Sequence, residues 1–100
     1  MTIETLKNGN EITLKLDGWL DTASAPELGD AVDAIEAADT IVLDFDKVEY
    51  IASSGLRQVV ACHRKAKELG AELSIVNVGT ETMSIFELTG LHKKMNIQAK

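Results

Sequence analysis

The sequence predicts an α/β fold: one domain over residues 1–100, with a mixed, mainly parallel sheet built from βα units and helices mainly on one face. Three observations carry this. Two alternating segments flank an Asn-Gly turn, which reads as an antiparallel β-hairpin. Helix-period segments then sit between successive β-branched runs, and helical connectors favour parallel pairing. Finally, the strands alternate apolar with polar residues, so one sheet face is expected to be covered and the other partly wet.

Residues 2–6 alternate as Thr-Ile-Glu-Thr-Leu before the turn at Asn8-Gly9-Asn10. Residues 11–17 alternate again, with Ile12, Leu14 and Leu16 on one side and charged or polar residues on the other. From Thr22 to Leu28 small polar capping candidates precede Pro26, a helix-start pattern, and Leu28, Ala31, Val32 and Ile35 recur at helical spacing. Residues 41–45 (Ile-Val-Leu-Asp-Phe) have the length of an interior strand. A second helix follows, with Val59, Cys62, Ala66 and Leu69 in one stripe and Gly70 as its stop. Residues 73–78 form the next strand. Thr80 is placed to cap a short helix holding Met83, Ile85, Phe86 and Leu88 that ends near Gly90, and residues 95–98 close the chain as a strand. The order is β-β-α-β-α-β-α-β. No repeat, linker or low-complexity tract divides it, and strand order within the sheet is not legible.

Composition narrows the function. With 45% hydrophobic and 26% charged residues the chain is ordinary globular material. No apolar run reaches the ~20 residues of a membrane span, and the N-terminus lacks a signal-peptide layout. A net charge of −6 repels nucleic-acid phosphates and anionic lipid, so neither nucleic acid nor membrane insertion is expected. The single cysteine, Cys62, allows no internal disulfide, in keeping with a reducing cytoplasm. It lies in the helix stripe and reads as a small buried hydrophobe.

The stretch Val48-Glu49-Tyr50-Ile51-Ala52-Ser53-Ser54-Gly55-Leu56-Arg57 is the candidate site. It places two hydroxyls at the start of the second helix, where free N–H groups and the positive end of the helix dipole favour an anion. Ser53 or Ser54 is expected either to cap the helix or to carry a phosphate. Gly55 removes bulk beside Ser54, which would let another protein approach closely. Catalysis is not expected. The tetrad Ala52-Ser53-Ser54-Gly55 departs from Gly-x-Ser-x-Gly, and His63 lies nine positions beyond Ser54, ~13 Å of helical rise. Two isolated histidines and one cysteine make no metal-ligand spacing, and no glycine-rich phosphate loop is present, so no cofactor is expected.

On these residues the chain resembles the STAS domain family, which includes bacterial anti-sigma factor antagonists and the cytoplasmic tails of sulfate transporters. Ala52-Ser53-Ser54-Gly55-Leu56 matches the family pattern Asp-Ser-Ser-Gly-Leu except at Ala52. Gly18-Trp19-Leu20-Asp21, followed by Ala25 and Leu28, matches Gly-x-Leu-Asp leading into the first helix, and Val42-Leu43-Asp44 matches the strand that ends on an acidic residue. The resemblance runs from residue 3 to residue 97.

It implies an anti-sigma factor antagonist, a binding module rather than an enzyme. By resemblance Ser54 is the phosphoacceptor, with Ser53 as runner-up. Asp21, Thr22, Ser24, Ala52, Ser53, Ser54, Gly55, Leu56 and Arg57 form the partner-binding surface. The implied partners are an anti-sigma factor serine kinase, bound when Ser54 is unmodified and released on phosphorylation, and a serine phosphatase that resets the switch. A cytoplasmic monomer follows. The alternative is a STAS subunit that braces the ATPase of a lipid-transport ABC system without a phosphate cycle, a reading that Ala52 favours.

Overall fold

A computed structural model describes residues 1–100. The elements run β1 (Thr2–Asn8), β2 (Glu11–Leu20), α1 (Ala25–Asp33), β3 (Thr40–Ile51), α2 (Ser53–Leu69), β4 (Glu72–Val78), α3 (Thr80–Thr89), a 3₁₀ turn (Leu91–Lys93) and β5 (Asn96–Ala99). The five-stranded sheet keeps chain order, β1-β2-β3-β4-β5: the hairpin pair is antiparallel and the other pairs are parallel. Each βαβ unit therefore steps to the adjacent strand in the same direction. Crossovers are right-handed, so repeated steps in one direction put every helix on one sheet face.

That face holds the core. Ile12, Leu14 and Leu16 of β2, Ile41, Leu43 and Phe45 of β3, and Leu73 and Ile75 of β4 point into it, and Leu28, Val32, Val59, Cys62, Ala66 and Phe86 pack down from the helices. Phe45 and Phe86 meet at 6.0 Å between ring centroids. The opposite face is wet: Lys15 registers with Asp44, and Ser74 registers with Asn96 and accepts a hydrogen bond from its Nδ2 at 3.0 Å. The covered-and-wet sheet expected from alternation is present.

Boundaries differ from expectation in ways that matter for the site. β2 and β3 both run past the alternating segments, to Leu20 and Ile51, with register shifts between Lys15 and Asp17 and between Gly18 and Trp19. Bulges break the period-two pattern there, so the alternation that marks residues 41–45 as a strand does not carry through to residue 51. β3 also outruns β4, whose pairing with it stops at Asp44↔Val76. Thr80 does not cap α3; Gly79 occupies that position with no side-chain cap. Leu88 faces solvent at 87% exposure, and Thr82 takes the buried place near Phe86. α2 ends as expected at Gly70, in the left-handed region at φ 72°.

Candidate functional site

The site forms where the C-terminal ends of β2 and β3 deliver the chain to α1 and α2. A single residue, Ala52, separates β3 from α2. Its extended backbone (φ −92°, ψ 171°) makes it the N-cap, and its methyl group offers α2 no side-chain hydrogen bond. Ser53 and Ser54 are thus the first two residues of the helix. Neither hydroxyl caps it, contrary to the capping expectation, because the cap position falls one residue earlier. By helix geometry the N–H groups of Ser53, Ser54 and Gly55 have no intrahelical acceptor; the first bond runs from the Leu56 N–H to the Ala52 carbonyl at 3.0 Å.

Ser53 is exposed and Ser54 half-buried. The Ser54 Oγ lies 3.0 Å from Thr22 Oγ1, on the loop between β2 and α1. This hydroxyl is the side-chain partner of Ser54, and a threonine hydroxyl is no general base at neutral pH.

The loop that presents Thr22 is held by its neighbours. Asp21 Oδ1 accepts from the Ala23 and Ser24 N–H groups at 3.1 and 3.0 Å. The Ser24 hydroxyl accepts from the Asp21 N–H at 2.9 Å and has one hydrogen for two acceptors, the Trp19 carbonyl at 2.6 Å and Asp21 Oδ1 at 3.0 Å. The Ser24 N–H and hydroxyl, then the Ala23 N–H, hold the Asp21 carboxyl below its ordinary pKa against some desolvation. Ser24 is buried, its hydroxyl is spent on Asp21 and Trp19, and it organises the loop.

Gly55 is required by the fold itself. A Cβ there would sit 2.5 Å from the Leu20 carbonyl oxygen and 2.9 Å from Leu20 Cγ. The missing side chain admits the protein's own β2 end, which receives the Ala52 N–H at 2.9 Å. Gly55 is buried. Of the expected residues, the structure brings Asp21, Thr22, Ala52, Ser53, Ser54, Leu56 and Arg57 together around the two loops, with Thr22, Ser53 and Arg57 exposed.

Trp19, Glu49 and Tyr50 lie within the motifs quoted above, which assign them no role, and they meet at the ends of β2 and β3. Trp19 and Tyr50 are register partners with rings 5.3 Å apart, and the Trp19 indole N–H donates to Glu49 Oε2 at 3.1 Å. They are 56% and 48% exposed, next in sequence to the buried Leu20 and Ile51. The parity signal was available, since each lies one residue from a core position and so faces the other way. His92 does not approach the serines: its Nδ1 lies 3.3 Å from the Phe86 carbonyl.

A family model described as "STAS domain" matches residues 2–100. The chain belongs to the STAS domain family. The anti-sigma-B factor antagonist of Bacillus subtilis is 28% identical over 101 residues, covering 100% of this chain and 93% of that protein. An anti-sigma factor antagonist from Mycobacterium paratuberculosis shares the fold with a TM-score of 0.88 and 25% identity, covering 99% of this STAS domain and 86% of that chain. A sulfate transporter family protein from Wolinella succinogenes, at 14% identity, superposes with a TM-score of 0.83 over 93% of this chain and 80% of its own. That likeness shows the fold alone.

Proposed function

We propose that this STAS domain is an anti-sigma factor antagonist that binds an anti-sigma serine kinase through the surface around Asp21, Thr22, Ser53, Ser54 and Arg57, and that phosphorylation of Ser54 releases it. The observation that carries this reading is the state of the Ser54 hydroxyl: at the helix start, not used as a cap, and held only by the exposed Thr22. The naming of the Bacillus subtilis relative supports it. A phosphate on Ser54 adds about −1.5 to −2 charge. The three free N–H groups and the helix dipole offer it ~0.3–1 kcal/mol of stabilisation. It also displaces the Thr22 contact and adds bulk and charge to the docking face. A loss of about 2.8 kcal/mol weakens binding roughly a hundredfold, enough for a mass-action switch without a change of fold. The module does no catalysis; its base and phosphate donor belong to the kinase.

Incubation with the cognate anti-sigma kinase and ATP, followed by intact mass, tests the proposal. One added phosphate is expected, absent from Ser54→Ala. No phosphate on the native chain, or an undiminished one on Ser54→Ala, overturns it. One observation favours the second reading, a subunit bracing the ATPase of a lipid-transport system: Ala52 replaces the family's aspartate beside the acceptor. Unphosphorylated, ATP-independent binding to such an ATPase is its signature.

A further inference from the structure

The chain carries 16 acidic residues and 10 basic ones, yet four of its cations gather along one groove. Two adjoining hollows share Val60 and Leu91 and form one groove along α2, facing the segment from Thr89 to Met95. Leu56, Val60 and Leu91, each half-buried, make an apolar floor. Arg57, Arg64, Lys67 and Lys94 stand along it, and no carboxylate lines these two hollows; Glu72 lines a third that adjoins them at Lys67 and Lys94. None of these cations is ion-paired: the ion pairs of the molecule are the Met1 amino group with Glu27 and Lys100 with Asp46.

An apolar floor flanked by unpaired cations lacks its counterpart. From Leu56 to Lys67 the helix rises ~16 Å, about three turns of a facing helix. An amphipathic helix with an apolar ridge and acidic flanks would fill the floor and neutralise the rim, the helix-in-groove mode of recognition. Nucleic acid brings charge without an apolar ridge. A bilayer is flat where the groove is concave, and both are repelled by the net charge of −6.

We infer that the groove between α2 and the Thr89–Met95 segment is a docking site for an acidic amphipathic helix of a protein partner. It begins at Leu56 and Arg57, where the serine face ends, and runs away from Ser54 along α2.

The test is an NMR titration of the ¹⁵N-labelled full chain with a ~14-residue peptide, about four helical turns, bearing a leucine ridge and glutamate flanks. A second peptide carries lysine in place of every glutamate. The expected result is shifts at Val60, Ala61 and Leu91 from the glutamate peptide only, and roughly tenfold weaker binding to the double variant Arg64→Gln, Lys67→Gln. The double variant Arg64→Glu, Lys67→Glu should exchange the preference and take the lysine peptide. Both positions lie on α2 beyond the serine face, with Lys67 and Arg64 exposed, so the fold is retained. No shift from the glutamate peptide, shifts confined to another face, or equal binding of both peptides overturns the inference. So does a result in which the peptide is ignored while a DNA duplex, phosphatidylglycerol vesicles or a second copy of the chain binds through Arg64 and Lys67.

Discussion

Replacing Gly55 by alanine places a methyl group 2.5 Å from the Leu20 carbonyl oxygen, 2.9 Å from Leu20 Cγ and 3.0 Å from Ile51 Cγ1. Three terms decide the outcome. Helix propensity favours alanine by up to ~1 kcal/mol. Overpacking against the Leu20 backbone opposes it by about 1–3 kcal/mol, because a strand end cannot rotate away as a side chain can. The same displacement lengthens the 2.9 Å bond from the Ala52 N–H to the Leu20 carbonyl, a further ~1 kcal/mol. The net expectation is destabilisation by about 2 kcal/mol, a fall of roughly 8–16 °C in Tm for a domain of this size. Gly29→Ala is the control. Its new Cβ would lie 2.9 Å from Nε2 of Gln58, the end of a flexible, half-exposed side chain that can swing aside. The propensity gain survives there, and a change between zero and about 1 kcal/mol of added stability follows. Urea unfolding by far-ultraviolet circular dichroism measures both. Equal shifts of the same sign, or a Gly55→Ala variant as stable as the native chain, would show that close backbone approach is not why glycine stands at position 55.

Further outcomes follow from the same geometry. Ala52→Asp restores a capping side chain at an N-cap whose backbone already suits one, and should stabilise the domain by ~1 kcal/mol in thermal melts; no gain means the family's aspartate is not a cap. The Asp21 carboxyl should titrate below 3.8 by NMR, since three donors hold its charged form. Its contribution to folding is then fully present above the unfolded-state value near ~3.9 and is lost as pH falls through the folded-state value. Asp21→Asn should accordingly lower stability at neutral pH, and the difference should fade in acid; a pH-independent difference refutes the linkage. The Cys62 thiol, pushed up to about 11 by burial, should be inert to Ellman's reagent in the native state and react fully in urea.

Much of this protein was legible without coordinates. Alternation in residues 11–17 and 41–45, the stripe through Val59, Cys62 and Ala66, and the Asn-Gly turn each report a local period, and local periods survive into the fold because each face must find the core. The serine segment was legible for the same reason: a strand-to-helix junction is a short-range feature. What failed failed physically. Bulges shift the register at the ends of β2 and β3, so the sequence does not show that Trp19 stands opposite Tyr50 and meets Glu49. The close approach at Gly55 is not legible because the Leu20 carbonyl that meets it belongs to the neighbouring strand; Ser24 turns inward to the Trp19 carbonyl five residues before it, a loop geometry that no residue period reports.

The sequence by itself determined the element order, the covered and wet faces of the sheet, and two serines at the start of a helix, since these depend on residue periodicity and on what lies within a few positions. Only the tertiary structure decided which hydroxyl is held by Thr22, that the Leu20 carbonyl closes on Gly55, and that the cations of α2 and Lys94 share one groove. Those are distances between residues far apart along the chain, and they exist only once strand order and crossover direction have placed them side by side.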